Sequence, residues 1–217
     1  NTTDMAKVTL ISIDLPSSNW ETYSLTNCSR LVTGINVSNM SKVFKIIGNN
    51  DVLQIKVPSQ DTMVIKVCNS EKKQKTEFHV KLMDLDDTEI EVDYEFDRHI
   101  RTYIPSQDFQ RICRDMKDIS KQITVRRVAS TVEFECDGDF ANQKTSIDVD
   151  ASKVGEYEDG FKIEASFLLR YMCNFIKATS LSQMVELTMD NDDTPLVIKY
   201  QVASLGDVKF YIAPVVD

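Results

Sequence analysis

Three times in this chain an amphipathic helical window is followed by a run of short alternating strands. That order restricts the fold more than any single motif. The windows are INVSNMSKVFKIIG (35–48), SQDFQRICRDMKDISK (106–121) and ASFLLRYMCNFIKA (165–178). Val37, Met40, Val43, Phe44 and Ile47 share one side of the first, and Phe109, Ile112, Cys113, Met116 and Ile119 one side of the second. This is the three-and-four spacing of a helix with one apolar face. The third is mostly apolar, with a narrow polar strip of Arg170, Asn174 and Lys177. Stretches such as DVLQIKV, TMVIKV, QITVRRV, TVEFEC, MVELTMD and PLVIKYQV follow the windows in pairs. They are rich in β-branched residues and alternate apolar with polar, the pattern of half-buried antiparallel strands. The order predicts an α+β fold with an internal structural repeat, in which each helix lays its apolar face on a sheet.

What the other face of each helix does is a question of charge. The chain as a whole is acidic, with 34 Asp and Glu against 25 Lys and Arg, a formal net charge of −9. The three windows run against this. They hold eight basic residues, Lys42, Lys45, Arg111, Arg114, Lys117, Lys121, Arg170 and Lys177, and three acidic ones, Asp108, Asp115 and Asp118. The helices therefore sum to +5 and leave −14 elsewhere. A solvated helix face usually mixes signs, so the segregation points to a helical layer that meets a polyanion. No aromatic residue interleaves with these positions and no side-chain pattern suits base edges. Contact directed at phosphates, blind to sequence, is what such a face can make.

Other function classes lack support. The two histidines, His79 and His99, sit in strand-like or connector-like contexts. No GxSxG, P-loop, HExxH or paired Cys/His cluster is present, so no catalytic residue, metal site or cofactor is expected. The carboxylates of DLDDTEIEVD lack the glycine and ligand spacing of a calcium loop and read as a solvated acidic connector. Cys28, Cys68, Cys113, Cys136 and Cys173 are scattered without a CxxC pair, which predicts free thiols in a reducing compartment. The glycosylation sequons at Asn27, Asn36 and Asn39 carry little weight, since the last two fall in a helical window. No apolar run is long enough to span a membrane, so no membrane association is expected.

GINVSNMSKVFKIIGNND, FHVKLMDLD, FQRICRDM, LLRYMCNFIKAT and PLVIKY followed by YIAP resemble the eukaryotic sliding clamp family of proliferating cell nuclear antigen. The similarity runs from about Val8 to Pro214, with the blocks in the family's order. It implies the DNA-clamp fold: two similar domains of antiparallel sheet plus helices, forming a ring of three subunits with helices lining the bore. The domains would be 1–85, a connector at 86–95, and 96–217. Lys42, Lys45, Arg111, Arg114, Arg170 and Lys177 fall on family positions that face the duplex. The resemblance also implies a hydrophobic pocket that takes a short peptide from polymerases, nucleases and ligases. Leu10, Ile90, Val92, Pro195, Tyr211, Ala213, Pro214 and Val216 match it. Double-stranded DNA, DNA polymerase and a clamp loader are the implied partners, and the nucleus, or a viral replication site, the implied location. KTEFHVKL (75–82) and FANQKTSI (140–147) are the implied subunit edges.

Some positions depart from the family. A strand–helix–strand unit precedes the block matching Val8 in family members, and four helices are expected where three are read; the expectation is that an N-terminal segment is omitted from this sequence. Ala129 stands at the family's ubiquitin-acceptor lysine, Lys7 where His is common, Val216 where Ile is common, and Glu91 and Asp93 where Gly and Pro are common. The divergence suits a protist or a large DNA virus. The implied function is a processivity factor that encircles duplex DNA; a subunit of a heteromeric, checkpoint-type clamp is the alternative.

Overall fold

The computed structural model describes residues 2–3, 8–26, 28–84, 100–149 and 162–215. The chain divides into two compact units, Ser24–Glu89 and a larger one made of Asn1–Tyr23 with Ile90–Asp217.

In the smaller unit, helix α1 (Val37–Phe44) precedes a three-stranded antiparallel meander of β3 (Val52–Ser59), β4 (Thr62–Asn69) and β5 (Gln74–Lys81). Asn36 starts the helix, its side-chain oxygen accepting the Asn39 backbone N–H at 3.0 Å, a cap that satisfies one of the orphan donors of the first turn. The core is small. Met40, Ile65 and Val67 are buried, with Val43, Ile47, Leu53, Met63, Phe78 and Val80 packed around them. Val37 and Phe44, expected on the apolar face of α1, remain 66% and 42% exposed. An eight-residue helix covers only one strip of a three-stranded sheet, and among the described residues of this unit no second helix closes over its flanks.

The larger unit carries two sheets. One has the order β1-β2-β13-β12-β11-β6, from β1 (Thr2–Thr3), β2 (Thr9–Asp14), β6 (Ile100–Pro105), β11 (Met184–Met189), β12 (Leu196–Val202) and β13 (Gly206–Ile212). The other has the order β10-β7-β8-β9, from β7 (Gln122–Val128), β8 (Thr131–Asp137), β9 (Asn142–Asp148) and β10 (Lys162–Leu168). Every pairing is antiparallel. Helices α2 (Ser106–Lys117) and α3 (Leu169–Phe175) pack on one another and seal one core that draws side chains from both sheets. Phe109, Cys113 and Met116 from α2 and Leu169 and Met172 from α3 are fully buried there, beside Phe134, Phe167 and Ile198. Burial of each such large apolar side chain stabilises by about 1.5–3 kcal/mol.

The third helical window begins late. Residues 165–168 belong to β10, where Ile163, Ala165 and Phe167 alternate inward and pair with β7, Phe167 opposite Ile123. The apolar content of ASFLL reads as helix by spacing, but the available strand partner decides it. The α-helix starts only at Leu169, whose N–H finds the Lys121 carbonyl at 2.9 Å. It tightens into a 3-10 turn over Ile176–Leu181, held by Gln110 and Thr179, which both donate to the Ile176 carbonyl at 2.9 and 2.6 Å. With β5 and β9 counted, each helix is followed by three strands rather than two. All five cysteines are free. Among the described residues no helix is long and apolar enough to cross a membrane.

Candidate functional site

Helix α2 follows directly on Pro105, which closes β6; the Ser106 N–H is satisfied by the Gln183 carbonyl at 2.9 Å. Asp108 lies in its first turn and Arg114 and Lys117 in its last, as the helix dipole favours. Because Phe109, Ile112, Cys113 and Met116 all point into the core, Arg111, Arg114 and Lys117 have only solvent to face. On the neighbouring α3 the same division leaves Arg170 outside, and Lys177 follows in the 3-10 turn. In the smaller unit, burial of Met40 leaves Lys42 and the C-capping Lys45 outside. All eight cations expected at the polyanion face are exposed, Lys121 included.

Their partners matter more than their exposure. Among the described residues Arg111 alone of the eight makes an ion pair, with Asp108 one turn away at 3.0 Å. Lys42 and Lys177 reach only amide oxygens, those of Asn39 at 3.4 Å and Asn174 at 3.0 Å. Arg170 donates to the Tyr171 hydroxyl at 3.1 Å and lies 4.7 Å from the centre of that ring. The sheets behave differently. Arg126, Lys144, Lys162, Lys199 and Lys66 are each neutralised by carboxylates, Glu164, Glu133, Glu186 and Glu77 among them. Most of the positive charge on the helices is without an ion pair among the described residues, while much of that on the sheets is paired, Lys56, Lys75 and Lys81 excepted. Burial pushes the Cys113 and Cys173 thiols up, although Lys117 and Arg114 pull Cys173 the other way; these thiols stay protonated at neutral pH.

Of the eight residues expected at an apolar pocket, five (Leu10, Pro195, Tyr211, Ala213 and Pro214) lie among the described residues. Strands β2 and β13 bring Leu10 and Tyr211 directly opposite one another, and β12 adds Val197 opposite Tyr211. Leu10, Tyr211 and Val197 thus form one row across three strands on one face of the sheet. Val197 was not among the residues expected there, since LVIKY is apolar at successive positions and only register shows which side each one takes. The Ala213 N–H donates to the Val8 carbonyl at 2.9 Å, and the Val215 N–H to the Ser166 carbonyl at 2.7 Å. These bonds hold Ala213 and Pro214 in an extended segment just past β13. Pro195 is buried and precedes the Leu196–Ile212 pair, which sets it level with Ala213. Burial raises the Tyr211 phenol above its ordinary range, so its hydroxyl remains a donor. Ile90, Val92 and Val216, with Lys7, His99, Asn27 and the 86–95 connector, lie outside the described residues. Ala129, by contrast, is described: it turns the chain between β7 and β8 with φ 44°. Among the described residues no three His, Cys, Asp or Glu side chains converge to hold a metal ion.

Two domain models of one family cover the chain. The proliferating cell nuclear antigen N-terminal domain matches residues 1–91, and the C-terminal domain of the same antigen matches residues 90–215. A protein of Paramecium bursaria Chlorella virus 1 described as "Probable DNA polymerase sliding clamp 1" is 38% identical over 222 residues, covering 99% of this chain and 82% of its own length. With the antiparallel sheets and the three helices, these matches place the fold as a two-domain clamp. The chain belongs to the proliferating cell nuclear antigen family.

Proposed function

We propose that this chain is a DNA sliding clamp, a non-enzymatic processivity factor that encircles duplex DNA and tethers a polymerase. The observation that carries it is the excess of exposed cations on the helices, seven of the eight without an ion pair among the described residues. Lys42, Lys45, Arg114, Lys117, Lys121, Arg170 and Lys177 have no carboxylate within ion-pair distance among the described residues, in a protein of net charge −9. Phosphates are the ligand such a surface suits, because they displace nothing already bound and release counterions on contact. A clamp needs no more than this. Topology keeps a ring on the duplex, so its contacts serve best when weak and indifferent to sequence.

The row of Leu10, Tyr211 and Val197, with Pro195, Ala213 and Pro214 beyond it, is the surface for a partner peptide. Ile90, Val92 and Val216 complete it by resemblance. Leu10, Val197 and Pro195 are buried, so the half-buried Tyr211, Ala213 and Pro214 are what a short peptide turn with aromatic or aliphatic anchors would meet there. A polymerase held there stays near its template while the ring slides.

The test is primer extension on a loaded circular template. Arg111, Arg114 and Arg170 changed together to Glu should abolish clamp-stimulated processive synthesis, while the circular dichroism spectrum is unchanged because all three side chains are exposed. Undiminished stimulation by the triple variant overturns the assignment of these helices to DNA.

A further inference from the structure

We infer that Asn39, Asp108 and Asn174 are positioning residues, each holding one cation of the proposed DNA face against its helix and setting how much charge that cation offers. This rests on the proposed contact with duplex DNA and deepens it. One four-residue pattern stands in all three helical windows: an acceptor, a buried apolar residue, a third residue, then a cation. It reads Asn39-Met40-Ser41-Lys42, Asp108-Phe109-Gln110-Arg111 and Asn174-Phe175-Ile176-Lys177. In each, the acceptor oxygen takes a hydrogen bond from the cation: Asn39 from Lys42 at 3.4 Å, Asp108 from Arg111 at 3.0 Å, Asn174 from Lys177 at 3.0 Å. Met40, Phe109 and Phe175 are buried and fix the rotation of their helices. Acceptor and cation therefore share the outer side, where residues three apart are neighbours. The Asn36 oxygen that caps α1 receives the Asn39 backbone N–H, which anchors the first pair at the helix start. Just after Asn174 the chain tightens into the 3-10 turn, in which side chains three apart eclipse, and the contact is shorter than in α1.

The chemistry of the acceptors divides them. An amide oxygen is neutral, so it restrains Lys42 and Lys177 without cancelling their charge. A phosphate then meets an ammonium that has already given up part of its side-chain freedom, and less is lost on contact. The Asp108 carboxylate restrains Arg111 as well, but its own charge opposes the approach of a phosphate. Arg111 therefore grips less than its charge implies. Asp108 keeps the hold of α2 weak, which suits a contact that must slide.

Fluorescence anisotropy of a short linear duplex, titrated with the full chain over a series of salt concentrations, tests this whether or not a ring closes. Asp108→Asn removes the opposing charge and keeps an acceptor. Binding should tighten roughly two- to fivefold and the salt slope steepen by about one. The same change takes a favourable charge from the first turn of α2, so the melting temperature should fall slightly. A merely structural role would lower affinity and stability together. Asn39→Asp with Asn174→Asp should weaken binding and make the slope shallower. Asn39→Ala with Asn174→Ala should weaken it roughly twofold per site at an unchanged slope, because the charge stays and only the restraint is gone. If all these variants match the parent while Arg111, Arg114 and Arg170 changed together to Glu abolishes binding, the positioning role falls and the DNA face stands. If the parent binds no better than that triple reversal, both fall.

Discussion

Arg126 shows how the sheet face away from the helices keeps its positive charge from any ligand. Its guanidinium donates to Glu164 through two nitrogens, at 3.0 and 2.9 Å, and its third nitrogen reaches Glu133 at 2.9 Å and Glu135 at 3.3 Å. Hydrogen bonds from Arg126, then from Lys162, hold the Glu164 carboxyl down to about 2, and those from Lys144 and Arg126 lower Glu133. A carboxyl lowered in the folded state adds stability that is present above its unfolded value, 4.5 for Glu164, and is lost as pH falls towards the folded one. The urea midpoint should therefore fall between about pH 4.5 and pH 2. Glu164→Gln should flatten part of that slope; an unchanged profile would remove Glu164 as its source. QITVRRV shows by alternation that Arg126 and the buried Arg127 take opposite faces. It cannot show which carboxylate waits, because Glu164 lies on another strand, 38 residues away.

At the scale of the element, strong local signals survived and weak ones yielded to pairing. Helix α2 is legible because four inward positions, a preceding proline and a first-turn aspartate agree. The start of α3 is not, because residues 165–168 have helical spacing and a strand partner, and seven register pairs with β7 outweigh intrinsic spacing. The turn between β8 and β9 depends on contact that no local pattern reveals. Gly138 passes so close to the end of α2 that a Cβ there would stand 2.2 Å from the Ile119 carbonyl oxygen. Backbone cannot give way like the tip of a side chain, so Gly138→Ala should cost roughly 1–3 kcal/mol, the range for overpacking. Chemical denaturation would show it as a lower midpoint at constant slope. An unaltered midpoint would mean that the turn shifts freely.

For the whole molecule, the distribution of charge was legible and the register of the strands was hidden. The eight cations could be picked from spacing and sign alone, and all eight are exposed. Leu10 and Tyr211 were named from the family resemblance, but Val197 needed the fold, because only register sets it opposite Tyr211. Weak phosphate contact and a closed ring make separable demands on DNA binding, which gives the last prediction. Contacts made by exposed lysines and arginines fade as salt rises, since each neutralised phosphate contributes to the salt slope. A topological link does not fade. Clamp loaded on a nicked circle should therefore remain through a wash at about 1 M salt, where screening extends over only about 3 Å. Cutting the circle once should release it by sliding off the ends. Loss from the intact circle at the same rate as from the cut one would mean that charge alone retains the protein, and that it does not encircle the duplex.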